Sequence, residues 1–131
     1  MKLEAAADGV DPANGPDAEI TEKGTQMELN LQNTLIYLIN NRNILKKSSL
    51  MAYSQKYLVS GFAEMAIRAA QDRGINNVAI SGGVLANEYI STKILEKISN
   101  NHLVVLLNEK NPVGDGGAAL GQACIALYSD L

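Results

Sequence analysis

No tryptophan, one phenylalanine, one histidine and one cysteine occur in these 131 residues, and each scarcity closes off a class of function. Nearly without large aromatic faces, the chain has few platforms on which bases could stack. Its eleven Lys and Arg are scattered rather than gathered into a stripe, and the formal charge is −3, so nucleic acid is not an expected partner. A single cysteine, Cys124, excludes an internal disulfide framework and an all-cysteine zinc site. Set in an apolar helical stretch, it is expected to be a buried, inert thiol rather than a nucleophile. One histidine cannot make a histidine-rich metal site or a Ser-His-Asp triad, and His102 is expected at a surface or sheet edge. Ser81 has no base beside it in sequence and is not read as a nucleophile. No apolar run approaches the roughly 20 residues a membrane helix needs, and the N-terminus lacks a signal-peptide core. The expectation is therefore no membrane and a cytoplasmic location.

Apolar residues make up 47% of the chain and charged residues 19%, a balance that suits a single folded domain over 1–131. Residues 2–7 read as the end of a helix closed by Asp8-Gly9, and 8–17, holding two prolines, as a loop or linker. The stretches 18–23 and 25–31 flank Gly24 and alternate loosely, as a hairpin would. Leu31, Leu35, Leu38 and Ile39 have helical spacing. A longer helix is predicted from about Leu50 to Asp72, capped by Ser48 or Ser49 and stopped by Gly74. Its expected core stripe is Leu58, Phe62, Met65, Ala66 and Ala69. A buried strand over 76–80, a helix over 87–99, a strand over 102–107 and a close-packed helix over 117–128 follow. Helix–strand alternation implies an α/β fold with parallel strands and helical crossovers. Two strands make a narrow sheet, so 18–31 is expected to supply further edges, or they must come from elsewhere.

The chemistry-bearing signal is a pair of glycine turns, each between a strand and a helix. The first is Ser81-Gly82-Gly83-Val84-Leu85-Ala86-Asn87 and the second Asn111-Pro112-Val113-Gly114-Asp115-Gly116-Gly117. Turns at the carboxyl ends of parallel strands, leading into helix N-termini, offer backbone N–H groups to an anion such as phosphate. Gly82-Gly83 permits a sharp turn and close ligand approach, or is simply a tight turn. Asn87 can cap the next helix or donate to a ligand. Asp115 can bind a metal that bridges to phosphate, or cap its own helix. Neither a dinucleotide fingerprint nor a P-loop is present.

The linked blocks Val78–Asn87 and Asp115-Gly116-Gly117-Ala118-Ala119-Leu120-Gly121-Gln122-Ala123 resemble the C-terminal part of the Kae1-like domain of HypF-type hydrogenase maturation carbamoyltransferases. That domain is itself related to the tRNA threonylcarbamoyl-adenosine transferases. The Asp-Gly-Gly-x-x-Leu-Gly-Gln form looks like the maturation branch, and Leu3-Glu4-Ala5-x-Ala7 looks like the family's Leu-Glu-x-x-Ala helix. The resemblance implies the C-terminal RNase H-like lobe of the actin, sugar kinase and Hsp70 (ASKHA) fold. It also implies a chemistry in which carbamoyl phosphate becomes an ATP-derived carbamoyl-adenylate. The carbamoyl group then passes to a cysteine of a hydrogenase maturation acceptor protein.

Carried over by motif, Gly82 and Gly83 would approach the phosphates of Mg-ATP and Asn87 would help position the nucleotide. Glu4 would reach its ribose or base side, and Asp115 would be one ligand of an iron or zinc ion. The family's pair of metal-binding histidines has no counterpart here, so that metal site is expected to be incomplete without a partner lobe. No residue is assigned as catalytic. Three readings follow: a fragment of such an enzyme, one subunit of a split enzyme, or a degenerate dimerisation or protein-interaction module. All three predict either a homodimer or docking to a missing N-terminal lobe.

Overall fold

In the computed structural model, the described residues are Ala7, 9–108 and 115–128, with Asp115 described by its backbone alone. Ala7 is helical, and the Val10 amide donates to its carbonyl at 3.2 Å across Gly9 at φ 64°. The chain then runs as an irregular loop to strands β1 (Glu19–Lys23) and β2 (Gln26–Asn30). These two pair antiparallel from Glu19–Asn30 to Lys23–Gln26. Their two-residue turn needs a positive φ at its first position, and Gly24 supplies 63°. The expected hairpin is therefore present, but it forms its own two-stranded sheet rather than widening the other one.

Helix α1 (Gln32–Asn41) follows directly, and α2 (Lys47–Asp72) is the longest element. Helix α2 begins earlier than its serines suggested. Lys46 is the N-cap residue and no side chain caps it, which places Ser48 and Ser49 inside the first turn. Strand β3 (Asn77–Ile80), a 3₁₀ turn (Gly83–Ala86), helix α3 (Glu88–Ser99), strand β4 (Val104–Leu107) and helix α4 (Asp115–Tyr128) complete the order. Strands β3 and β4 pair in parallel, Asn77 opposite Val104 through Ile80 opposite Leu107, with α3 as the crossover.

The core lies between α2, α3 and this small sheet. Val59, Ala63, Ile67 and Ala70 of α2 meet Ile90, Ile94 and Ile98 of α3, closed by Leu103. Spacings of three and four residues put each set on one helix face. Three isoleucines on one helix sacrifice some intrinsic helix preference, because β-branching restricts χ1; burial outweighs it, at roughly 1.5–3 kcal/mol per side chain. The expected stripe is thus displaced by one residue: Phe62 is 49% exposed, whereas Ala63 is buried. Two further expectations change. In β3, Asn77 and Ala79 are exposed, alternating with the half-buried Val78 and Ile80, and among the described residues this sheet has two strands. Helix α4 is exposed along nearly all its described residues, including Ile125, Leu127 and Tyr128.

A second, polar contact set ties the N-terminal half to α2. Tyr53 hydroxyl donates to the Pro16 carbonyl at 2.8 Å and lies 2.9 Å from the Thr34 hydroxyl. Tyr57 hydroxyl donates to the Asn30 carbonyl, and Tyr37 hydroxyl to the Asn14 carbonyl at 3.0 Å. Gly61 lets β2 approach α2, since a Cβ there would run into the Leu29 side chain.

Candidate functional site

The carboxyl ends of β3 and β4 form the candidate site. Beyond Ile80, Gly82 adopts φ 120° and ψ 159°, a conformation essentially reserved for glycine. This redirects the chain into the 3₁₀ turn, which is closed by Leu85 N–H to Gly82 C=O at 3.1 Å and Asn87 N–H to Val84 C=O at 3.0 Å. A Cβ built on Gly82 or Gly83 would meet nothing within 4 Å. The backbone at this bend therefore faces open space.

Asn87 caps α3. Its Oδ1 accepts from the Ile90 amide at 3.0 Å, and Glu88 adds a carboxylate to the first turn. The capping role is thus filled by the carbonyl end of the side chain, while the amide Nδ2 is the end that could donate to a ligand. Asn108, which sequence reasoning passed over, follows β4 and donates from Nδ2 toward the Ser81 hydroxyl at 3.4 Å. Its signal was available: it is the first polar residue after Val-Val-Leu-Leu, at the carboxyl end of a parallel strand.

Among the predicted site residues, the structure brings together Gly82, Gly83 and Asn87. Glu4 and the Asp115 side chain lie outside the described residues, as does the loop 109–114 of the second glycine turn. The helix after that turn starts at Asp115, two residues before its expected start. His102 sits in a turn at φ 61°, exposed, as expected of a surface residue. Cys124 is exposed on α4, which corrects the expectation of a buried thiol. Its helix lacks the cover that a close-packed position requires.

Among the described residues no three His, Cys, Asp or Glu side chains gather where they could hold a metal. One carboxylate from Asp115 would supply a single hard oxygen ligand, short of the six that magnesium takes or the four usual for zinc. The described residues therefore do not fit a complete metal site. Nor is any described helix long and apolar enough to cross a membrane.

An α/β lobe with a glycine-lined turn at the carboxyl end of a parallel strand is the class of protein this geometry defines. Residues 1–122 match the profile of the carbamoyltransferase Kae1-like domain, second subdomain, and the chain belongs to that family. Among curated relatives, the probable carbamoyltransferase HypF of Methanocaldococcus jannaschii is 32% identical over 100 residues, 71% of this chain and 13% of that protein. The tRNA N6-adenosine threonylcarbamoyltransferase of Thermosipho melanesiensis is 34% identical over 98 residues, 75% of this chain and 30% of that protein.

A crystal structure of full-length HypF in its phosphate- and nucleotide-bound form superposes with a TM-score of 0.82 and 28% identity, covering 96% of this chain and 16% of that one. HypF from T. kodakarensis gives 0.75 at 26% identity, covering 99% of this chain and 17% of that one. The fold is accordingly the C-terminal Kae1-like lobe of the ASKHA class. This chain spans less than a third of the length of these relatives.

Proposed function

We propose that this chain is the nucleotide-facing second lobe of an ATP-dependent carbamoyltransferase of [NiFe] hydrogenase maturation, inactive until joined to the remainder of the enzyme. The observation that carries this reading is the open bend at Gly82-Gly83. Gly82 needs to be glycine for its conformation, but Gly83 has no positive φ and no neighbour that a Cβ would strike. The fold itself does not demand glycine at 83, whereas a phosphate resting on the backbone would. Family membership and the likeness to a nucleotide-bound HypF support the same assignment.

In this reading the backbone N–H groups of the bend hold phosphate oxygens of ATP, and the Asn87 amide orients the nucleotide while its carbonyl keeps α3 capped. The electrostatic contribution comes from fixed donors facing the charge that develops on the transferred adenylyl group. Glu4 would lie toward the ribose, and Asp115 would offer one oxygen to a metal completed by the other lobe. The acceptor would be a maturation protein bearing the cysteine that takes the carbamoyl group.

The test is a calorimetric titration of Mg-ATP into two proteins: the chain alone, and the full-length M. jannaschii relative with its matched lobe replaced by this chain. The expected outcome is no measurable binding to the chain alone and binding to the hybrid. Gly83→Val should weaken that binding about tenfold or more by blocking backbone approach, with the melting temperature unchanged. Equal binding by the wild-type and Gly83→Val hybrids overturns the assignment of this bend to phosphate.

A further inference from the structure

The parallel register of β3 and β4 ends with Ile80 opposite Leu107. One step further it sets Ser81 against Asn108, and both residues are exposed. There the Asn108 amide Nδ2 donates to the Ser81 hydroxyl oxygen at 3.4 Å. A side-chain bridge thus continues the pairing past the last residues of the two strands, immediately before the bend at Gly82. A serine hydroxyl carries one proton and two lone pairs. With Asn108 donating to its oxygen, Ser81 keeps its proton for an acceptor, and no described residue accepts it. Next in the chain come Gly82 and Gly83, where a Cβ would meet nothing within 4 Å. An anion seated on that open backbone has the Ser81 hydroxyl as its neighbour along the chain. The bridge is long for an N–H···O bond, as hydrogen bonds at unliganded sites often are before they tighten around a ligand. An exposed neutral contact of this length adds little to stability, so its value lies in orientation.

Resting on the assignment of the Gly82-Gly83 bend to phosphate, we propose that Asn108 is a positioning residue for nucleotide binding. It holds the Ser81 hydroxyl with its proton directed at a phosphate oxygen, so that a side-chain donor joins the backbone N–H groups of the bend. Asn108 itself touches no ligand; its effect passes through Ser81. A freely rotating hydroxyl spends part of its time donating to water, and the bridge removes that freedom before the nucleotide arrives. The reverse orientation of the amide, with Oδ1 accepting the Ser81 proton, would instead take the donor away from the phosphate.

Calorimetric titration of Mg-ATP and of adenosine into the hybrid with the M. jannaschii relative, with melting temperatures read alongside, tests this. Ser81→Ala should weaken Mg-ATP binding about tenfold, the loss of one hydrogen bond to a charged group. Asn108→Ala should weaken it about threefold to fivefold, and Asn108→Gln, which keeps the donor, should stay within about twofold of the unsubstituted hybrid. The double variant Ser81→Ala with Asn108→Ala should bind no more weakly than Ser81→Ala alone, since a residue that acts through Ser81 then has nothing left to position. Adenosine, which lacks phosphate, should bind all four variants and the unsubstituted hybrid alike, and no melting temperature should move.

Losses that add in the double variant, unchanged or tighter Mg-ATP binding by Asn108→Ala, or an Asn108→Gln variant as weak as Asn108→Ala would each overturn the inference. So would an equal weakening of adenosine and Mg-ATP. If Gly83→Val weakens Mg-ATP binding while Ser81→Ala does not, the role of Asn108 and Ser81 fails and the phosphate assignment of the bend stands. If neither substitution has an effect, the assignment of the bend fails and the inference falls with it.

Discussion

Gly82 and Gly83 are adjacent and identical in type, yet the backbone asks different things of them. At φ 120° and ψ 159°, residue 82 lies where any Cβ is strained, at about 1–3 kcal/mol. Gly82→Ala should therefore lower stability by that order in urea or thermal melts. Gly83→Ala, in ordinary backbone with no neighbour within 4 Å, should change stability by no more than about 0.5 kcal/mol. Equal losses at the two positions would remove the geometric distinction on which the phosphate assignment rests. The pair was legible from sequence as a turn, but which glycine the fold requires was not. That depends on φ, which two consecutive glycines leave open.

At the scale of elements, patterning located helices and strands well and faces less well. The hairpin around Gly24, the helix stop at Gly74 and the Asn87 cap all follow from local chemistry, and all three are in place. Helix α2 carries two neighbouring apolar stripes, through Leu58, Phe62 and Ala66 and through Val59, Ala63 and Ile67. Helical spacing alone cannot say which one meets a partner. Isoleucines 90, 94 and 98 of α3 select the second.

Truncation in the core formed between the selected stripe and α3 should reveal the difference. Ile98→Ala, at a side chain 1% exposed, should cost about 2–5 kcal/mol through lost burial and a cavity. Phe62→Ala in the isolated chain should cost much less, as read by denaturant melts of both variants. A large loss at Phe62 would mean that its stripe carries packing that its exposure does not show.

Considered as a whole molecule, the protein joins an apolar body of α2, α3 and the parallel sheet to a hairpin and loop pinned by tyrosines. Burial raises the Tyr53 pKa above the usual phenol value of 10.0, with the Tyr57, Tyr37 and Asp17 charges adding to it and the Thr34 hydrogen bond opposing. The native state therefore keeps the phenol proton to higher pH than the unfolded chain does. Its contribution is intact below about pH 10 and is lost as pH rises through the raised native pKa.

Thermal melts should accordingly show stability falling above about pH 10. Tyr53→Phe should flatten part of that fall while lowering stability at neutral pH by about 1–2 kcal/mol through the lost Pro16 and Thr34 contacts. An unchanged alkaline profile in Tyr53→Phe would assign the loss to other groups.

The amino-acid sequence by itself determined the elements, the parallel β3–α3–β4 unit, the glycine bend and its family, because turns, caps and short motifs are written in neighbouring residues. Only the tertiary structure decided that the hairpin stands apart from the parallel sheet, that α4 and Cys124 lie exposed, that Asn108 meets Ser81, and that Phe62 of α2 is left half exposed. Burial is a property of what comes to rest against a surface. In a lobe whose parallel sheet has two strands among the described residues, apolar character in the sequence exceeds the surface available to cover it.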